Sequence, residues 1–183
     1  MAVYKSDGSG GAIGGGSSTV FPIPLWQTSV KDKITTQSGT GRAIPDLAWN
    51  AAKNGGVLVY MDGSWNEYGG TSAASPQIAG FFALVNQYLN ENGMDFIGHL
   101  NPLLYQINDS AAFNDILPIK LCTVLAGEQV TNRQFQYDDN GELMYSDVPG
   151  YPVTSGWDMT TGFGSPQGKA FLNALVKVME NNE

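Results

Sequence analysis

The chain has 183 residues, 42% hydrophobic and 14% charged, with 23 glycines, which excludes a disordered segment and describes one compact, loop-rich domain. A domain of this length buries roughly 70% of the surface its unfolded form exposes. The net charge of −8 and pI of about 4.4, with nine scattered Lys and Arg residues, exclude an electrostatic footprint for nucleic acid or anionic membrane and suit an acidic milieu, where protonation relieves self-repulsion.

Residues 1–41 open on a short strand-like AVY and the run DGSGGAIGGGSS at 7–18, too glycine-rich for helix or strand and therefore a cleft-side loop. It lacks the Lys of a phosphate loop and the spacing of a dinucleotide fingerprint. Such a start reads as a chain begun within a domain, and it has no apolar centre of a signal peptide. FPIPLW at 21–26 is a rigid extended stretch whose prolines forbid a central strand. In residues 42–93, RAIPDLAWNAA precedes VLVYMDGSWNEYGG, a hairpin turning at Asp62-Gly63.

From Ser75 the residues Ile78, Phe81, Phe82, Val85, Tyr88 and Leu89 fall on one face of a helix ending near Asn92-Gly93. Pro76 is tolerable in its first turn, and Gly80 would allow close approach of a neighbour. In residues 94–183 a short helix is expected near Pro102 and a last one from about Pro166 to Met179. The irregular stretch between them includes a turn at Asp139-Asn140-Gly141 flanked by FQY and LMY as a hairpin; its acidic residues miss the register of an EF-hand. Cys122, the one cysteine, excludes an internal disulfide and has no base around it. No run reaches the roughly 18 apolar residues of a membrane span.

The chemistry concentrates at 69–80, GGTSAASPQIAG. Ser72 lies where a turn becomes a helix, so unpaired N–H groups and the positive end of the helix dipole converge beside its hydroxyl. Taken alone, a serine there is an N-cap.

GTSAASPQIAG fits the serine signature GTSxxxPxxAG of the subtilisin clan. RAIPDLAWNA before it, the doubled glycine, ALVNQ after it, HLNPLLY, AFNDI, GWDMTTGFGSP and the opening GSGGAIGGGSSTVFPIPLWQ together resemble the sedolisins, the serine-carboxyl peptidases. The resemblance covers most of the chain. It implies an α/β fold, a subtilisin-like parallel sheet with flanking helices, of which this chain is the C-terminal portion. It implies Ser72 as the nucleophile that forms an acyl-enzyme, with its backbone N–H in the oxyanion hole.

Sedolisins use a Glu backed by an Asp as base, and a further Asp at the oxyanion, which suits acid pH, where imidazole is already protonated. In the family these three precede the serine, in a part that would come before Met1. Asp46, in the IPDLA motif, and Glu67, on the hairpin, do not replace them. His99, the one histidine, follows the serine and is structural.

The resemblance also implies one Ca²⁺ held by Asp115, Ile116, Thr154, Gly156 and Asp158, whose hard oxygens suit that ion, with an insertion of about 117–153 between its halves. It implies secretion, a peptide or protein substrate, and a partner: the missing N-terminal part of the catalytic domain. A rival reading is a non-catalytic binding or structural module derived from a peptidase, self-associating to cover the face the missing part would occupy.

Overall fold

A computed structural model describes residues 2–3, 11–12, 14–51, 56–117, 119–120, 129–130, 133–137, 140, 143–147 and 150–182. Cys122 and nearly half of the expected insertion lie outside them.

β3 (Gly16–Pro22) pairs antiparallel with β4 (Gly41–Ile44), with Ser17 opposite Ala43. The glycine-rich run is therefore not all loop: Gly11–Ala12 (β2) pairs with Ala2–Val3 (β1), and 16–18 enter β3. Tertiary contact outweighs the entropic cost here. A Cβ at Gly15 would lie 1.6 Å from the Met159 carbonyl oxygen, so only glycine lets the two backbones meet. Ser17 Oγ accepts from the Gly41 N–H at 2.8 Å and donates to the Gly41 carbonyl at 3.1 Å, fixing the register. FPIPLW is extended only as far as Pro24; Leu25–Val30 then form a 3₁₀ turn leading into α1 (Lys31–Thr36).

β5 (Val57–Met61) and β6 (Ser64–Tyr68) form the expected hairpin, with Tyr60 opposite Trp65 and both Asp62 and Gly63 at positive φ, as a tight two-residue turn requires. It leads into α2 (Thr71–Glu91), four residues earlier than the apolar spacing suggests, because that spacing starts only where the helix turns toward the core. α3 (Leu100–Leu104) and α4 (Gly168–Glu180) follow the sequence expectation. Between them β7 (Phe113–Asn114) pairs with β12 (Ser165–Pro166), bringing 113–116 beside 154–166. β8 (Ile119–Lys120) pairs with β9 (Gln129–Val130). β10 (Arg133–Tyr137) pairs with β11 (Leu143–Asp147) as the expected FQY/LMY hairpin. All ladders among the described residues are two-stranded and antiparallel; a parallel sheet is not assembled within them.

The core gathers Ile34, Val85, Leu89, Leu104, Trp157, Met159, Phe171 and Leu175. Phe171 of α4 meets Phe81, Phe82 and Phe113 at ring distances of 5.8, 5.8 and 5.7 Å. Only one side of α2 is covered. Val85 and Leu89 are buried, whereas Leu84 is 66% exposed, Tyr88 is 43% exposed, and a Cβ at Gly80 would meet nothing within 4 Å. The hairpin is open on both faces, with Leu58 at 64% and Trp65 at 69% exposure on one and Val59 at 41% and Met61 at 47% on the other. No helix among the described residues is long and apolar enough to cross a membrane.

A polar network pins the segment ahead of Ser72. The Asp46 carboxylate accepts from Tyr105 Oη at 2.8 Å, from Asn101 Nδ2 at 2.8 Å and from Arg42, whose guanidinium lies 4.8 Å from the centre of the Trp26 ring. Gln27, fully buried, donates to Tyr105 Oη at 2.7 Å and exchanges two bonds with the Ala43 backbone. Burial and the neighbouring Asp46 charge raise the Tyr105 pKa well above its ordinary 10.0. The folded state therefore favours the neutral phenol: this stabilisation is complete below pH 10.0 and is lost as pH rises beyond it. Tyr105→Phe is expected to cost about 1–3 kcal/mol at neutral pH and to flatten the alkaline limb of stability. Denaturant titrations across that range test this; an unchanged limb would exclude Tyr105 as its source.

Candidate active site

Ser72 is the second residue of α2 and is exposed. Gly70 caps the helix at φ 87° and ψ 166°, a region open essentially to glycine alone, and makes no side-chain cap bond. Its N–H donates to the Ala51 carbonyl at 2.7 Å, while its own carbonyl accepts from Ala73 and Ala74 at 3.0 and 3.2 Å. The Thr71 and Ser72 N–H groups have no partner among the described residues and lie at the positive end of a 21-residue helix. The first turn is held from the side by Gln77, which accepts from Trp49 Nε1 at 3.1 Å and donates to the Ala73 carbonyl at 2.8 Å. The sequence reading missed this brace. The two residues lie 28 positions apart, and no local pattern signals their contact.

The helix start stands between two hollows. An open groove of about 520 Å³ is walled by Val57, Val59, Met61 and Tyr68 of the hairpin and by Gly69, Ser72, Ala73, Pro76 and Gln77. On the far side a hollow of about 280 Å³ is lined by Pro45, Leu47, Trp49, Thr71, Ala74, Ile78 and their neighbours, reaching Gly14 and Thr160. Both are mainly apolar, so the first presents Ser72 at the edge of a surface suited to an apolar side chain.

No described side chain hydrogen-bonds the Ser72 hydroxyl. Glu67 Oε1 accepts from the Gly56 N–H at 3.1 Å, and Asp46 serves the network above. His99 precedes α3 with its ring 6.3 Å from Trp26, edge to face.

Of the expected metal ligands, Asp115, Thr154, Gly156 and Asp158 are brought together by the pairing of β7 with β12. Asp158 is fully buried. Its Oδ1 accepts from the N–H groups of Thr160 at 2.8 Å and Thr161 at 2.7 Å and from the Thr161 hydroxyl at 3.1 Å; its Oδ2 accepts from the Thr154 N–H at 2.9 Å. Asp115 Oδ2 accepts from the Gly156 N–H at 2.7 Å, and Oδ1 is buried with no hydrogen-bond partner. A buried carboxylate oxygen without a donor is costly, and a hard cation would satisfy it, so these residues fit one. Ile116 follows Asp115 and is half-buried. Three or more His, Cys, Asp or Glu side chains do not cluster anywhere among the described residues; any cation here would draw on backbone carbonyls.

Comparison with known proteins gives the ancestry. No protein-family model matches the chain. It is 35% identical over 176 residues to kumamolisin of Bacillus sp. (strain MN-32), covering 95% of this chain and 27% of that protein. It is 31% identical over 174 residues to tripeptidyl-peptidase 1 of Canis lupus familiaris, with 90% and 27% covered. The solved structure of Pseudomonas sedolisin, a serine-carboxyl proteinase complexed with two molecules of pseudo-iodotyrostatin, superposes with a TM-score of 0.64 at 26% identity, over 99% of this chain and 40% of that one. This bears out the α/β, subtilisin-like class. The chain spans about a quarter of the length of these curated relatives and corresponds to their C-terminal part. It belongs to the sedolisin family of serine-carboxyl peptidases.

Proposed function

We propose that this chain carries the nucleophilic part of an acid-acting serine-carboxyl endopeptidase, completed by a polypeptide equivalent to the preceding part of a sedolisin catalytic domain. The observation that carries the reading is Ser72 at the uncapped start of α2, exposed at the edge of an apolar groove. The partner supplies a Glu–Asp pair as base and a carboxyl group at the oxyanion. Ser72 Oγ gives its proton to that base as it attacks the scissile carbonyl, the amine leaves with a proton returned by the same group, and water then releases the acyl chain. The developing oxyanion is met by the Ser72 N–H. Val59, Met61 and Tyr68 favour an apolar substrate residue near the cleaved bond, and the bare faces of α2 and the hairpin receive the partner.

The enzyme acts outside the cytosol in this reading. The test is peptide cleavage at acid pH by the 183-residue chain with and without that partner, the partner carrying its carboxyl residues. Cleavage only by the pair supports it. Inactivity of the assembled pair overturns it and leaves a non-catalytic module.

The same reading assigns a structural Ca²⁺ to Asp115, Asp158 and the carbonyls of Ile116, Thr154 and Gly156. The ion ties the segment after β7 to the loop before α4 and is the partner that Asp115 Oδ1 lacks. Chelation is expected to lower the melting temperature by about 3 °C, corresponding to roughly 1 kcal/mol. No change on adding chelator would count against this assignment.

A further inference from the structure

Lys33 is the third residue of α1, half-buried, and its ammonium donates to the carbonyl of Ser155, 122 residues further on. A Cβ at the next residue, Gly156, would lie 3.1 Å from Nζ. Lys33 forms no ion pair among the described residues; the pair found there joins Arg42 to Asp46. A full positive charge is thus held on a backbone carbonyl inside the segment that carries Thr154, Gly156 and Asp158. Within one hydrogen bond of that segment lies Asp115, tied to the Gly156 N–H and with Oδ1 unpartnered. An ammonium is a compact point charge with three donors, able to brace a carbonyl-rich loop. A fixed charge beside a site also repels a divalent ion.

We propose that Lys33 is a tethered cation for the Asp115–Asp158 loop, holding the loop in place when calcium is absent and weakening calcium binding when it is present. The inference rests on the calcium assignment above. It makes the loop's order less dependent on the metal, because two cations of different reach share the same loop.

The test is calorimetric calcium titration of the 183-residue chain and its Lys33→Met, Lys33→Gln and Lys33→Arg variants, with melting temperatures in chelator. Lys33→Met keeps the apolar stem and removes the charge. It is expected to bind calcium roughly tenfold more tightly and, in chelator, to melt several degrees below the parent. Lys33→Gln, which retains a donor, is expected to show the same gain in affinity, and Lys33→Arg to keep the parent's affinity. Equal affinities in the parent, Met and Gln forms would overturn the role of Lys33 while leaving the calcium assignment intact. Absence of calcium binding in all four would overturn the assignment and the proposal together.

Discussion

With the partner polypeptide present, Ser72→Ala is expected to reduce kcat/KM for a peptide at acid pH by 10³-fold or more, while shifting folding stability by less than about 0.5 kcal/mol. The kinetic loss follows because the other hydroxyls at the start of α2, Thr71 and Ser75, line the opposite hollow and not the groove that Ser72 edges, and what remains after such a change is the contribution of binding and the oxyanion site. The thermodynamic silence follows from exposure: Ser72 is exposed, its hydroxyl makes no hydrogen bond among the described residues, and alanine is the better helix former. Parallel assays of cleavage and of chemical denaturation separate the two. A variant that keeps a tenth of the activity would remove Ser72 from the chemistry. Loss of activity with a loss of 2 kcal/mol or more in stability would give the serine a structural role instead.

Asp158→Ala is expected to be the costly change on the other side of the molecule, about 4 kcal/mol by denaturant titration in chelator. The fully buried carboxylate accepts from three backbone N–H groups and one hydroxyl. Removing it strands those donors in a region too enclosed for each to find water, at about 1–3 kcal/mol per buried orphan. Part of that sum returns as the loop relaxes. Asp115→Ala provides the contrast. It loses one hydrogen bond and relieves one unsatisfied oxygen, so in chelator it should cost less than about 1 kcal/mol. With calcium present each variant should fall a further ~1 kcal/mol below the parent, since each deletes one ligand, and the gap between the two should persist. An Asp158→Ala cost below 1 kcal/mol in chelator would mean that the loop is not organised around this carboxylate.

The local elements were legible because each carries its own signal. Asp62-Gly63 between β-formers can hardly be anything but a hairpin turn, and the spacing from Ile78 to Leu89 describes one helical face. The same spacing cannot say which apolar residues remain bare: Tyr88 belongs to the periodic set yet is 43% exposed, and Gly80 faces open space. Burial depends on what packs against a face, and periodicity describes only the face. The glycine run misled for a related reason. Its composition disfavours a strand, but the approach of Gly15 to the Met159 carbonyl reverses the preference through a contact 144 residues away in the chain.

The candidate site divides in the same way. From the sequence alone came the serine, its glycine-gated helix start, the membership of the motif set and the two aspartates separated by a long segment, since these are statements about residue type and order. Only the tertiary structure decided that Trp49 braces the first turn through Gln77, that Tyr105 and Gln27 lock Asp46, and that Lys33 reaches Ser155. Those bonds join residues 28 to 122 positions apart, and no local pattern encodes such a pairing. It arises when the chain has collapsed and each buried donor must find an acceptor among whatever the fold has brought near.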